Sequence, residues 1–399
     1  MTKFKKFLVT ISILGASFLI IGGAIFLIAF GRAGWDINAL DAEELTESSY
    51  LVEQHRIIDN IELQGLWFFD ISYGDYFRID YYKSNFANLE IGLAPNANGN
   101  YTFRFIEDRN NFWPNFGFNG LIRRTANEHT VRITIPNSAS ISVRGSSANT
   151  TIKDLPFPLY SLDINGSNAA IVLQNINVVG NINLSGSSLW ASFNNVSAYH
   201  LNASGSNLLI TNSSNVNLNI GNLNLSGSDI GVNIYNLQVQ NVNIDGSSAR
   251  LTLRGSSVHN SINASGSGAR VELRENSFVH VQLQLEGSSA RANIYDSTVR
   301  HIYAPRGSGA RIFAQRAHIR SLNMSGSSVR AYLDLVGTNS NVRQVSVTGS
   351  SPRLYFNGTR HNPTNITPSM DYGFKTFIAD GSGARITLNM LGGVSNFTE

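Results

Sequence analysis

The amino-acid sequence predicts an all-β protein, a parallel β-solenoid (β-helix) of about 20 residues per turn, preceded by one transmembrane helix. Three observations lead to this prediction. A Gly-Ser motif recurs at near-constant intervals from residue 145 towards the C-terminus. Apolar and polar residues alternate on both sides of each motif, which is typical of half-buried strands. A long run of residues without any charge lies near the N-terminus.

The uncharged run covers residues 7–30. A membrane span needs about 20 apolar residues, so this run predicts a transmembrane helix. Lys3, Lys5 and Lys6 precede it, and by the positive-inside rule residues 1–6 form a cytoplasmic tail. The bulk of this single-pass cell-membrane protein is then extracellular. A cleaved signal peptide is the alternative, but its apolar region is usually only about 7–15 residues long, which favours a retained anchor.

Two regions separate the anchor from the repeats. Residues 31–55 are acidic and weakly periodic, which predicts a juxtamembrane stalk. Residues 56–144 alternate in polarity and are rich in aromatic residues, which predicts a β region that caps the solenoid, with no helix after residue 55. The aromatic cluster could stack on carbohydrate, but alternating strand positions favour a role in the core. Its members are Trp67, Phe68, Phe69, Tyr73, Tyr76, Phe77, Tyr81 and Tyr82.

Twelve copies of the Gly-Ser motif follow, at intervals of 19–23 residues except for the last interval of 32. This period predicts a solenoid of about twelve turns over residues 145–390. Each turn has two or three short strands, and its glycine adopts a conformation that a side chain would penalise. Asn-rich positions are expected to form ladders between turns. The structural glycines are Gly145, Gly166, Gly186, Gly205, Gly227, Gly246, Gly266, Gly287, Gly307, Gly326, Gly349 and Gly381.

The long last interval contains an insertion at residues 356–376. The exposed end of a solenoid could template aggregation, so a capping loop is the favoured interpretation. A binding loop is the alternative. Residues 391–399 form a C-terminal tail.

The organisation of the chain resembles the bacterial "putative adhesin" family and is similar to autotransporter-adhesin-head-like domains. The matching pieces are the sequence VRITIP at 131–136, SVRGSS at 142–147 and the later Ser-Gly-Ser turns, after an N-terminal anchor. The resemblance implies a right-handed solenoid at the cell surface, with an adhesin or envelope-associated role. It covers most of residues 56–399, and it is one of pattern, since no catalytic signature defines the family. The many near-identical turns and the Arg-rich distal half depart from the family's usual pattern, which leaves the partner open.

The residue four positions after the motif glycine is arginine in each of the last seven copies. Stacked turns would place these side chains about 4.8 Å apart, where two unit charges repel by ~1 kcal/mol in water. The column is therefore either a solvated edge or a binding site for an anionic cell-wall polymer or an acidic polysaccharide, and both interpretations stay open. We call these seven residues the Arg ladder: Arg250, Arg270, Arg291, Arg311, Arg330, Arg353 and Arg385.

The leading functional prediction is a putative adhesin or envelope-binding module that contacts an anionic polymer or surface through the Arg ladder. The alternative is a regulatory or structural envelope protein that binds other envelope proteins. Nucleic acid is not expected as a partner, because the predicted position is extracellular and no interleaving of aromatic residues with the arginines is expected.

A polysaccharide-degrading β-helix enzyme is the third possibility. It would need neighbouring carboxylates, whereas the acids of the solenoid scatter over different positions, so no enzyme and no catalytic residue are predicted. Those acids include Asp245, Glu272, Glu275, Glu286, Asp296 and Asp334.

Metal and cofactor chemistry is not expected either. The chain has no cysteine, which excludes disulfides and thiolate ligands. His259, His280 and His301 recur in successive turns and could together ligate a metal, but polar residues on a solvated face are the favoured interpretation. No cofactor is predicted.

Overall fold

The structure is a computed structural model that describes residues 45–391, except 54–55, 66, 85–87, 109–129, 147–148, 306–307, 337–341, 357 and 362–374. The predicted anchor at 7–30, the cytoplasmic tail and the tail after residue 391 lie outside the described residues. So do Gly307 and most of the predicted insertion. Within the described ranges, no helix is long and apolar enough to cross a membrane.

The described residues form an all-β structure without a helix, as predicted, in which 27 strands join into one continuous sheet. The strands are β1 (Leu45–Leu51), β2 (Ile58–Gln64), β3 (Phe68–Tyr73), β4 (Arg78–Ser84), β5 (Asn88–Pro95), β6 (Tyr101–Asp108), β7 (Thr130–Ile135), β8 (Ser140–Gly145), β9 (Asn149–Lys153), β10 (Ser161–Gly166), β11 (Asn168–Gly186), β12 (Ser188–Asn212), β13 (Leu218–Tyr235), β14 (Leu237–Asp245), β15 (Arg250–Arg254), β16 (Ser257–Ser265), β17 (Arg270–Arg274), β18 (Phe278–Leu285), β19 (Arg291–Tyr295), β20 (Thr298–Ala304), β21 (Arg311–Ser325), β22 (Arg330–Val336), β23 (Val342–Thr348), β24 (Arg353–Phe356), β25 (Thr359–His361), β26 (Lys375–Asp380) and β27 (Arg385–Leu391).

Each complete turn has three sides. The first side ends at the motif glycine, the second side begins four residues after it, and the third side follows a bend. In the middle of the stack the second side is built by β15, β17 and β19, which pair in parallel. The third and first sides are built by β14, β16, β18 and β20, also in parallel. A register shift at the corner between these two sides lets one strand turn from the third side into the first.

The stack has about nine turns, fewer than the twelve predicted. The prediction counted motif copies, and not every copy near the C-terminal end completes a turn. Among the described residues, third-side pairing starts at the bridge between Leu159 and Val178 and continues to the pairing of Leu335 with Met390. In the described residues, the copy at Gly349 pairs in parallel only on the first and second sides.

The last two copies stack in the reverse of their order in the chain. β26 lies between β21 and β23, and β27 lies between β22 and β24. The outermost rung is thus β23–β24, and the short strand β25 pairs antiparallel with β24 and covers its edge. Covering the last strand edge limits pairing with another chain, which is the purpose that the predicted capping loop was expected to serve.

The N-terminal strands belong to the same stack. β2 pairs in parallel with both β6 and β8, and β3 pairs in parallel with both β7 and β9. Antiparallel strands are added at this end, where β5 pairs with β6, β4 with β7 and β1 with β4. The described strands of the range 56–144 are therefore continuous with the solenoid, and β1 lies inside the range 31–55 assigned to a stalk.

The interior is one hydrophobic core that runs the length of the stack, because alternate residues of every strand point inward. At the N-terminal end it is aromatic, as predicted for part of the cluster. Trp67 and Phe69 are buried and meet the ring of Phe105 edge-on, with centroids 6.3 and 6.1 Å away. By contrast, Phe68 and Tyr73 of the same cluster are exposed.

Most of the described motif glycines combine a positive φ with close packing against a neighbouring turn. Gly227 has a φ of +135°, a region that residues with a side chain rarely adopt. A Cβ atom on Gly227 would also collide with the carbonyl oxygen of Gly205 in the preceding turn. Gly227 thus has the backbone conformation expected of a turn glycine, and the backbone contact between turns is a second reason for glycine at this position.

Asn ladders of the predicted kind are present. In one ladder each side-chain Nδ2 donates to the Oδ1 of the residue one turn earlier, with distances of 2.8 to 3.1 Å for the steps beyond the first. The ladder begins at Asp163, which accepts from Asn183. It continues through Asn202, Asn224, Asn243 and Asn263. Each amide before Asn263 both donates and accepts within the column, so these amide groups satisfy one another.

Candidate anion-binding face

The Arg ladder is a continuous column on the second side. In space its order is Arg250, Arg270, Arg291, Arg311, Arg330, Arg385 and Arg353, each paired in register with the next. The neighbouring strand residues Leu251 and Leu253 are buried, so the ladder side chains point outward. In-register parallel pairing separates neighbouring residues by about 4.8 Å.

The N-terminal end of the ladder is neutralised by a carboxylate. Arg250 Nη2 donates to Glu272 Oε2 at 2.9 Å, and Arg274 Nε donates to the other oxygen, Oε1. Burial raises the pKa of Glu272, but the hydrogen bonds and charges of Arg274 and Arg250 outweigh it and hold the pKa below its ordinary value. Glu272 is therefore an ionised counter-charge for Arg250 at neutral pH.

The remainder of the ladder has no such counter-charge. Among the residues that the structure describes, no carboxylate pairs with Arg270, Arg291, Arg311, Arg330, Arg353 or Arg385. Two other arginines in this half of the stack do pair. Arg316 binds both carboxylate oxygens of Asp296 at 2.6 Å, and Arg254 binds Glu275 at 2.6 Å. Six in-register arginines thus form a cationic strip that no carboxylate of the described residues neutralises.

An aromatic column runs beside this strip, two residues further along each strand. Phe313 is in register with Tyr332, and their rings are stacked, with centroids 5.2 Å apart and planes 7° apart. Thr387 occupies the next rung, followed by Tyr355. The guanidinium of Arg385 lies 4.7 Å from the centroid of the Tyr355 ring, a cation–π contact that joins the two columns.

This aromatic column was not predicted, and the premise that no aromatic residues interleave with the arginines is wrong. Its signal in the sequence is Arg-x-Phe or Arg-x-Tyr, which occurs at residues 311–313, 330–332 and 353–355. Residues two apart on a strand share a face, so this spacing alone places each ring next to its arginine. We define the aromatic column as Phe313, Tyr332 and Tyr355.

The face changes character towards the N-terminal end. The residues in register before Arg250 are uncharged: Gly231, Leu209, Trp190 and Ala170. Two of them are exposed only in part, Trp190 by 41% and Leu209 by 44%. Hence this outward-facing column is uncharged from Ala170 to Gly231 and cationic from Arg250 onward.

The histidines predicted to line up do so only in part. The rings of His259 and His280 lie 5.3 Å apart, but His301 is in register with Gln282 rather than with His280. His301 Nδ1 lies 2.7 Å from the hydroxyl of Ser321. Among the described residues, no group of three histidines and carboxylates is placed to hold a metal ion.

The acids remain scattered, as expected. Glu272 and Glu275 are each held in ion pairs with arginines, and a bend with positive φ at Glu275 and Asn276 separates the two side chains. Asp334 accepts from Asn389 at 2.6 Å, and Asp245 accepts from Ser265 at 3.2 Å.

No family model matches the chain, and no curated protein matches it. Three solved structures align with much of it. A "putative adhesin" from Parabacteroides distasonis aligns at 13% identity over 73% of this chain and 98% of its own, with a TM-score of 0.32. A "putative cell adhesion protein" from Clostridium sporogenes aligns at 9% identity over 87% and 100%, with a TM-score of 0.18. A "putative lipid binding protein" from Parabacteroides distasonis aligns at 10% identity over 88% and 98%, with a TM-score of 0.26.

Two of these descriptions agree with the family that the sequence resembles. At such TM-scores they carry no argument about the ligand or the activity of this chain, and membership of the adhesin family stays a prediction.

Proposed function

We propose that this chain is a cell-surface adhesin or envelope-binding module whose distal face binds an anionic polymer through the Arg ladder. The observation that supports the proposal is the strip of six in-register arginines with which no carboxylate of the described residues pairs. Stacking like charges costs free energy, and a protein that only needed a solvated edge could pair them, as Arg250 pairs with Glu272. Guanidinium groups bind carboxylate and phosphate in a bidentate manner, and a linear cationic array matches a linear polyanion.

The test is binding of the full-length chain to an anionic wall polymer and to a neutral glycan over a range of salt concentrations. The diagnostic variant is Arg311→Gln with Arg330→Gln, both exposed in the ladder. Its matched control is Arg300→Gln with Arg320→Gln, which removes the same charge from exposed positions outside the ladder. At ~0.5–1 kcal/mol for each exposed contact, the ladder variant should bind roughly 5- to 30-fold more weakly.

Salt should weaken binding of the native chain steeply, because the contacts are between exposed charges. Equal loss of affinity in both variants would mean that only net charge matters and would contradict a specific ladder site. If the native chain binds no anionic polymer, the ladder is a solvated edge, and protein partners in the envelope become the leading hypothesis.

A further inference from the structure

We propose that the aromatic column makes the Arg ladder selective for an acidic polysaccharide over polyanions that have no sugar rings. This inference rests on the proposed function, since it specifies which anionic polymer the distal face takes. The observation behind it is that the aromatic rings lie on the same face as the Arg ladder, two residues further along the strand.

The rings and the guanidinium groups share one face and run in parallel. Tyr332 is two residues from Arg330 on β22, and Tyr355 is two residues from Arg353 on β24. Tyr332 remains 38% exposed although its ring stacks on Phe313. The distal face therefore offers a polymer a row of cations and, beside it, a row of apolar ring surface.

An acidic sugar chain has the matching chemistry. Its carboxylate, sulfate or phosphate groups would meet the guanidinium groups, while the C–H faces of its rings would lie against the aromatic side chains. A sugar ring is comparable in length to the spacing between rungs, about 4.8 Å, so a chain lying along the solenoid could meet both rows repeatedly.

Two other polyanions fit less well. A polyphosphate has no apolar surface to place on the rings, so the aromatic column would add nothing to its binding. Single-stranded nucleic acid binds aromatic side chains by stacking its bases on free ring faces. Phe313 and Tyr332 are parallel and already stacked on each other, so a base cannot insert between them, whereas a sugar chain needs only to lie across them.

The experiment compares affinities of the full-length chain for polygalacturonate, inorganic polyphosphate and single-stranded poly(dT). The diagnostic variant is Tyr332→Leu, which keeps an apolar side chain without a ring. Its control is Tyr303→Leu, since Tyr303 on β20 has the same 38% exposure but lies on the first side. We expect Tyr332→Leu to lower the affinity for polygalacturonate about fivefold, with polyphosphate and the control variant unchanged.

The two proposals can fail separately. If the native chain binds polygalacturonate no more tightly than polyphosphate, or if Tyr332→Leu weakens both equally, the selectivity is overturned and the Arg ladder proposal stands. Tighter binding of poly(dT) that depends on Tyr332 would replace the polysaccharide by nucleic acid. If no polymer binds, both proposals fall. Phe313→Leu repeats the measurement if Tyr332→Leu melts at a lower temperature than the native chain.

Discussion

Arg330 lies in register with Arg385 and not with Arg353, although Arg353 belongs to the next motif in the chain. The C-terminal pair β26–β27 enters between the rungs of β21–β22 and β23–β24. The Arg ladder stays unbroken across this exchange because each inserted rung carries an arginine at the same position. Because β27 lies between β22 and β24, β24 is the outermost strand of the second side, and β25 pairs with its free edge.

This order can be tested by cross-linking, because the chain contains no cysteine. Arg330→Cys combined with Arg385→Cys should form a disulfide on oxidation, since adjacent rungs place the Cα atoms about 4.8 Å apart. Arg330→Cys combined with Arg353→Cys should not, because two rungs separate them by about 9.6 Å. Mass spectrometry of proteolytic fragments distinguishes the two. Efficient formation of the second disulfide would show that the turns stack in chain order.

Gly227→Ala should destabilise the protein by roughly 2–5 kcal/mol, from backbone strain and from the collision with the Gly205 carbonyl. The matched control is Gly268→Ala. Gly268 has a similar φ of +144°, but an added Cβ would meet nothing within 4 Å. Urea denaturation should therefore show a smaller loss for Gly268→Ala, due to strain alone. Equal losses would mean that contact between turns does not contribute.

Asn202→Asp should interrupt the Asn ladder. The substitution keeps the oxygen that accepts from Asn224 but replaces the amide donor that faces Asn183 Oδ1 with a second oxygen. We expect a loss of about 1–3 kcal/mol in the free energy of unfolding, because a part-buried acceptor loses its donor. Asn217→Asp, at an exposed position outside the ladder, makes the same chemical change and should be nearly neutral. Equal effects would assign the loss to charge rather than to the ladder.

Glu272→Gln should change how stability depends on pH. The pKa of Glu272 is lowered in the folded state, so its ion pairs stabilise the fold above the unfolded value of about 4.3. That stabilisation is lost as the pH falls through the lower folded pKa. The native chain should consequently lose more stability between pH 5 and about pH 3 than Glu272→Gln does. Thermal denaturation at several pH values measures the difference, and parallel curves would contradict an ionised, paired Glu272.

His280→Asn should affect a higher pH range. Burial, with the nearby charges of His259 and Arg300, lowers the pKa of His280 in the folded state. Protonation therefore favours the unfolded chain, and stability is lost as the pH falls from the unfolded value of about 6.5 through the folded pKa. The variant should show a shallower decline than the native chain between pH 7 and 5, by at most about 1.4 kcal/mol per pH unit. A decline of the same slope would mean that His280 does not titrate in this range.

Local sequence patterns were sufficient for the repeating part of the fold. Strand alternation, the turn glycines and the Asn ladder depend on contacts between equivalent positions of neighbouring turns, so the period of about 20 residues specifies which residues meet. The same holds for most of the Arg ladder. The aromatic column could also have been predicted, because its Arg-x-Tyr spacing places both side chains on one face.

Other features depended on contacts that no local pattern contains. The insertion of β27 between β22 and β24, and of β2 between β6 and β8, joins strands that are distant in the chain. Every rung presents nearly the same edge, so the motif does not specify which rung follows which. Pairing of Arg250 with Glu272 likewise needs the register of two turns.

The repeat pattern was therefore sufficient to predict a β-solenoid, glycines at its turns and a column of arginines. The reason is that equivalent positions of successive turns become neighbours in a solenoid. The order of the terminal rungs, and which arginines of the described residues pair with a carboxylate, became clear only from the tertiary structure. Those outcomes depend on which turns become neighbours and on how side chains of different turns pair across the face.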